Sequence, residues 1–339
     1  SLTVFLIILT IFTFNKLFSD KLTFIISTLT VSSIVLLVII FRREIPSTYI
    51  PIVIYAISLS LLVEKEFTFR YLIGSDVHSE YFVLENTASH LFWDPNLLIP
   101  NVEIYLLNYN AMLSITIFPV ILAGFLNLHE FTVLKYIYLI VYALVPVILY
   151  QGFRKKFGKY VSFIAVFYFI AFPRFIGLES RRQMLGMLFL AFLTYLIFDK
   201  KLKMKHKIVL YILFGASLVL SHYSLAYIYL FIISFTWFFR YLFSKHNFLH
   251  FNLKSKGMIG LYSVLLFFTL TFSWYTYVSL APLKSFGNTI STAIQSLTSD
   301  FFSTGSRGAI ETTIKLDFWS LNIVQKCDFL INKFFLSLL

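Results

Sequence analysis

The sequence predicts an all-α, polytopic transmembrane bundle, and three observations carry that reading. Hydrophobic residues make up 59% of the chain and charged residues 13%, with 41 phenylalanines and a mean hydropathy of +0.83, outside the range of soluble domains. Runs of roughly 15 to 20 residues are nearly free of charge, long enough to cross a hydrocarbon core as helices. The basic residues gather in short links, Arg42-Arg43, Arg154 to Lys159, Lys200 to Lys207 and Arg240 to Lys256, as on the cytoplasmic flanks of membrane helices. The net charge of +12 therefore marks a membrane flank; no folded basic domain is present to bind nucleic acid.

Taken in order, the apolar runs place spans at Leu2–Phe14, Leu22–Phe41, Tyr49–Val63, Lys135–Gln151, Val161–Phe175, Met184–Phe198, Ile208–Leu220, Leu225–Phe243 and Met258–Val278. With the ambiguous run Tyr109–Leu126 this makes about nine or ten spans. Charge arithmetic decides the ambiguous run. If Arg42-Arg43 are cytoplasmic, Tyr49–Val63 carries the chain outward. A full crossing by Tyr109–Leu126 would then put the three later basic clusters outside, against the positive-inside bias. The consistent reading keeps this run outside as a re-entrant or membrane-surface helix, interrupted by Pro119 and Gly124. The turn Gly177 to Gln183, the segment Ser221-His-Tyr-Ser224 and the tail from Ser279 to Leu339 then share the outer side with the first large loop.

The expected organisation is a helical domain over 1–278, with an external loop at 64–110, followed by an external loop or tail over 279–339. The chain opens at Ser1 and closes on an apolar run, so both ends read as truncated and the tail as the start of a further C-terminal region. No signal-peptide pattern opens the first run. Cys327 is the single cysteine, so no intrachain disulfide is possible and cysteine usage is silent on compartment. No fixed-period repeat or low-complexity tract is present.

Polarity concentrates in the first large loop. Seven of the 16 acidic residues lie between Glu64 and Glu103, with two of the seven histidines, His78 and His90. Within it, Asp76, His78 and Glu80 form the first candidate site. On a helix Asp76 and Glu80 share a face and His78 turns away; on a strand all three point one way. Either arrangement could set a carboxylate as general base beside a histidine, or let Asp76 and Glu80 hold a divalent cation such as Mg or Mn. A solvated loop with incidental acids is the bland alternative. Glu179, Arg181, Arg182 and Gln183 form the second candidate. Two arginines beside a span on the non-cytoplasmic side call for a reason, and a phosphate headgroup supplies one, because guanidinium forks match its oxygens. Snorkelling to lipid phosphates, or pairing of Glu179 with Arg182, explains them equally. His222 and Tyr223 at a helix end are a third pair, with a structural histidine as the simpler reading. Arg307, between glycines, is a further candidate phosphate contact; Trp93, with His90 and Asp94, could line an acceptor groove, although interfacial tryptophans are ordinary belt residues. P-loop, nucleophile-elbow, C-x-x-C and H-E-x-x-H patterns are absent.

A span, an external loop with D-x-H-x-E-Y at Asp76 to Tyr81, a Trp-Asp-Pro at 93–95 and then a membrane-surface helix resemble the GT-C superfamily of lipid-dependent glycosyltransferases, nearest to the protein O-mannosyltransferases. The stretch that includes Tyr109 to Ile115 and Glu179 to Gln183 also looks like an uncharacterised family of archaeal multispanning membrane proteins. The resemblance covers about Tyr49 to Val278. It departs from the mannosyltransferase pattern in lacking His-Pro-Pro after the loop and in spacing the acids D-x-x-x-E. It implies a cell-membrane enzyme with its active-site loop extracytoplasmic, membrane lipids around it, a polyprenyl or dolichyl phosphate-linked sugar as donor and a protein or glycan as acceptor. Asp76 would be the general base, Glu80 or His78 would orient the acceptor or share a cation, and Arg181 and Arg182 would hold the phosphate. The alternative is a transporter or flippase for a lipid-linked or anionic solute. Transporters place ionisable residues in mid-membrane on broken helices, whereas here the spans are nearly charge-free and the polar groups collect at one surface.

Overall fold

The computed structural model describes residues 44–95, 104–246 and 260–278, with scattered positions between 33 and 41 and between 284 and 295. The first two expected spans, Arg42-Arg43 and Arg307 lie outside the described residues in whole or in part. Two compact units divide at Leu283/Lys284. Of the second, helical residues at 284, 287–288, 290–292 and 294–295 are described.

The first unit is all-helical among its described residues. Its elements are α1 (Ile50–Thr68), α2 (Ser75–His90), α3 (Ile104–Asn110), α4 (Ile117–Leu126), α5 (Glu130–Phe157), α6 (Lys159–Ala171), α7 (Pro173–Ile176), α8 (Arg181–Phe198), α9 (Met204–Ser221), α10 (Tyr223–His246) and α11 (Leu261–Val278). Among the described residues, α5, α8, α9, α11 and the Tyr223–Leu242 part of α10 are long and apolar enough to cross a membrane. An 18-residue helix such as α8 is roughly 27 Å long, close to the hydrocarbon thickness of about 30 Å. Phe231 and Phe235 on α10 are exposed at 68% and 52%, as lipid-facing side chains are. This is a polytopic α-helical membrane protein.

Helix α8 is the axis of the bundle. It packs against α5, α9, α10 and α2, and buries residues over more than half of its circumference, from Arg181, Met184 and Leu185 to Leu193 and Leu196. Gly186 permits the tightest approach: a Cβ there would lie 2.9 Å from the Cβ of His222 and 2.8 Å from Cδ1 of Leu225. Within α5, residues Val133–Ile137 form a π turn, which leaves Lys135 only 1% exposed. Its Nζ donates to the carbonyls of Phe69 and Arg70 at 2.6 and 2.9 Å. The lysine thus serves two backbone acceptors just past the end of α1.

One expected span differs, and the ambiguous run breaks at a place other than expected. The Val161–Phe175 run breaks at Phe172 into the 13-residue α6 and the short α7. Pro173 is the cause, because the residue before a proline is pushed out of the α region; Phe172 sits at φ −67°, ψ 129°. The Tyr109–Leu126 run, expected to be interrupted at Pro119 and Gly124, is broken at 111–116 instead; both residues lie inside a continuous ten-residue α4, too short to cross. The irregular backbone between α3 and α4 is buried in protein and satisfied there, as membrane-depth backbone must be. Ser114 Oγ donates to the carbonyl of Ser221 at 3.2 Å, Trp274 Nε1 to that of Ala111 at 3.2 Å, and Tyr138 Oη to that of Ser114.

The opposite end of the bundle is basic. Arg154, Lys155 and Lys156 close α5, and Asp199, just after α8, accepts Lys155 Nζ and the backbone N–H groups of Lys201 and Leu202 at 2.9 and 2.8 Å. Burial alone would raise the Asp199 carboxyl, but the Lys155 hydrogen bond and those N–H groups hold it down at about 2.

Candidate functional site

The turn before α2 depends on Gly74, which adopts φ 112°, open to glycine and costly for other residues. A Cβ here would also lie 2.6 Å from Cβ and Cδ of Glu179, so the turn and the start of α8 fit together through the missing side chain. Helix α2 then buries Val77, Glu80, Val83, Leu84 and Thr87, a helical stripe that carries one carboxylate into the protein interior. Of the two local geometries open to D-x-H-x-E, the helical one applies. Asp76 lies one turn before Glu80 on the same side, and His78 is exposed on another face.

Glu80 is fully buried. Its Oε1 accepts Ser180 Oγ at 2.5 Å and lies 3.3 Å from Arg182 Nε, while Oε2 accepts the backbone N–H of Arg181 at 2.7 Å. Burial pushes its carboxyl up, and Arg182, Ser180 and Arg181 pull the other way without cancelling it. Arg182, 6% exposed, extends from Glu80 to Asp76, with Nη2 3.3 Å from Oδ2. Its guanidinium lies 4.0 Å from the ring centre of Tyr109 and 5.5 Å from that of Tyr223, a cation held between aromatic faces. Desolvation raises the Tyr109 hydroxyl to about 12. The Asp76 carboxylate remains 48% exposed and lines a cavity of about 500 Å³ with Glu179, Gln183, Arg174, Tyr142 and Phe172.

The other candidate residues divide clearly. Arg181 is fully buried and faces away from solvent. Its guanidinium is consumed by Glu66 and by the carbonyls of Leu134 and Glu179. It therefore cannot reach a headgroup, because every direction of its fork already ends on protein. The carboxylate pair offered for a cation is bridged by Arg182, 3.3 Å from each. Among the described residues no group of three His, Cys, Asp or Glu side chains comes together. His222 is buried, and its Nδ1 accepts the N–H of Leu225 at 3.2 Å, which puts the ring proton on Nε2. Burial, with Arg182 nearby, lowers it to about 3. Its ring stacks on Tyr223 at 5.7 Å. Trp93 donates to the carbonyl of Asn110 at 3.0 Å and stacks on Trp274, an anchor for the 91–95 turn that does not line the Asp76 cavity. His90 Nδ1 lies 2.8 Å from the carbonyl of Asn86 on its own helix, and the Asp94 carbonyl accepts Asn110 Nδ2 at 2.6 Å.

Two residues of this region, Glu66 and Arg174, were not singled out by sequence patterns. Glu66 lies on α1 with no motif around it. Arg174 lies beside the proline that ends α6, inside the run expected to span over Val161–Phe175, and lines the Asp76 cavity. A second, apolar groove of about 350 Å³ runs between α4, α5, α8 and α9, bordered by Leu113, Phe118, Val141, Leu188 and Leu220. It shares no lining residue with the Asp76 cavity.

A family model described as "Predicted membrane protein (DUF2206)" matches residues 207–338. The match takes in His222 and Tyr223 and leaves Asp76, Glu80 and Arg182 outside it. No curated protein and no solved structure matches the chain.

Proposed function

We propose that this membrane protein is a glycosyltransferase that moves a sugar from a polyprenyl phosphate donor to an acceptor hydroxyl at the end of the bundle where α2 meets α8. The observation that carries the reading is the state of Asp76. Its carboxylate is half exposed to a cavity of sugar-like dimensions and is held from behind by Arg182, which buried Glu80 fixes in turn. A general base needs that combination: access to the proton it takes, and an orientation it does not lose. In the reaction the acceptor oxygen attacks the anomeric carbon and its proton passes to Asp76. The bond from that carbon to the phosphate oxygen breaks, polyprenyl phosphate leaves, and a single displacement inverts the anomeric centre. Arg182 keeps Asp76 aimed; Glu80 positions Arg182. The basic clusters at the far end of the bundle support an extracytoplasmic site under the positive-inside rule.

The test is transfer of radiolabelled sugar from polyprenyl phosphate donors by the purified full chain in detergent. Asp76→Asn is expected to lower turnover by at least about a hundredfold, the usual contribution of a general base, with the unfolding midpoint little changed. Turnover by Asp76→Asn at the native rate would remove Asp76 from the mechanism. Vectorial solute uptake into vesicles, without transfer, would favour the transporter reading instead.

A further inference from the structure

We infer that Arg174 is the anion-holding residue of the Asp76 cavity, and that its ligand is a phosphate headgroup carried on an apolar chain. This deepens the proposed transfer by naming what holds the donor's phosphate.

Arg174 is the cation among the described residues lining the Asp76 cavity; Arg70, also exposed at this end, does not line it. Arg181 is consumed in the interior, and Arg182 is shared between Glu80 and Asp76. Lys135 is spent on two backbone carbonyls. Arg174 lines the same cavity as Asp76, is exposed, and makes no ion pair or hydrogen bond with the described residues. Its five N–H donors are therefore available to a ligand, and a guanidinium fork suits phosphate oxygens. Asp76 and Glu179 in the same cavity would repel an anion from its carboxylate side, which confines a phosphate to the Arg174 rim and leaves the carboxylate side for hydroxyl groups.

Helix α6 offers a path for the apolar chain. Val161, Ile164, Tyr168 and Phe172 are exposed at 59%, 54%, 57% and 41%. Their spacing of three, four and four residues makes one helical stripe that runs up α6 and ends two residues before Arg174. Phe172 itself lines the cavity. A chain lying along that stripe brings its headgroup to the guanidinium without crossing a helix. The apolar groove beside α4 offers no such route, because it shares no wall with this cavity.

The experiment is calorimetric binding by the purified full chain in a neutral detergent, with farnesyl phosphate, farnesol and inorganic phosphate as probes. Farnesyl phosphate is expected to bind, and both farnesol and inorganic phosphate to bind at least about tenfold more weakly. Arg174→Gln is expected to weaken farnesyl phosphate by about 10- to 100-fold, as loss of a charge-assisted pair does, and Arg174→Lys to retain part of the affinity. Lys203→Gln, at the basic end, should change nothing. Asp76→Asn, which blocks transfer under the proposed function, should bind at least as tightly as the native chain because a carboxylate leaves the cavity. Affinity unchanged in Arg174→Gln, or lost equally in Lys203→Gln, would overturn the assignment; inorganic phosphate binding as tightly as farnesyl phosphate would overturn the apolar chain. Binding that follows Arg174 while no donor is ever transferred would sink the transferase reading alone.

Discussion

Replacing Glu80 with alanine should be among the most damaging single changes in this protein. The residue has no exposed surface and serves three donors, at 2.5 Å from Ser180, 2.7 Å from the Arg181 backbone and 3.3 Å from Arg182. Without it Arg182 stays buried with only the half-exposed Asp76 as counter-charge, and the first N–H of α8 loses its acceptor. Breaking a buried ion pair by removing one partner costs about 3–5 kcal/mol, against a total stability of about 5–15 kcal/mol. The pair itself is not a large net gain, since burial already works against the ionised Glu80. Removing both charges in Glu80→Leu with Arg182→Met should therefore recover much of the loss, giving a coupling energy of about 2–4 kcal/mol. Glu80→Gln, which preserves shape and an acceptor for Arg181, should cost about 1–2 kcal/mol. Reversible unfolding in mixed micelles, followed by tryptophan fluorescence, measures all three. A cost below about 1 kcal/mol for Glu80→Ala, or a double variant no more stable than the sum of the singles, would refute the reasoning from burial.

Two further outcomes are expected at other places in the bundle. The folded-state carboxyl of Asp199 is held down at about 2, below its unfolded value of about 3.9, so its contribution is complete above the unfolded value and disappears as the pH falls through the folded one. After allowance for solvent screening, about 1–2 kcal/mol of stability should be lost between about pH 4 and pH 2, and Asp199→Asn should flatten that part of a pH–stability profile; a profile unchanged by the substitution would contradict the Lys155 pairing. At Gly186, valine would place a Cβ 2.9 Å from that of His222, and should destabilise by about 1–3 kcal/mol through overpacking, read as a lower unfolding midpoint in detergent; a neutral result would mean that α8 and the α9–α10 junction move apart freely.

How much of this was legible in the chain differs from residue to residue. The apolar runs that became α8, α9 and α10 could be read directly, because burial in lipid and burial in protein demand the same side chains over the same length. The split at Phe172 was also within reach, since Pro173 carries its own signal, but a run of apolar residues overrode it. Glu80 was visible as one of a pair with Asp76 four residues earlier. What could not be read was that their shared neighbour would be Arg182, about a hundred positions later. Adjacent arginines look interchangeable in a sequence, yet successive helical side chains diverge by about 100°. That divergence sends Arg181 inward to Glu66 and Arg182 across to Asp76.

Composition and periodicity were enough to establish a membrane-embedded helical bundle, because the hydrophobic effect acts on each segment locally and leaves a local record. The division of labour between Arg181 and Arg182 came only with the packed chain. An arginine's role depends on which carboxylates and carbonyls surround it, and those lie on α1, α2 and α5, brought to α8 by folding and by nothing in their own stretch of sequence.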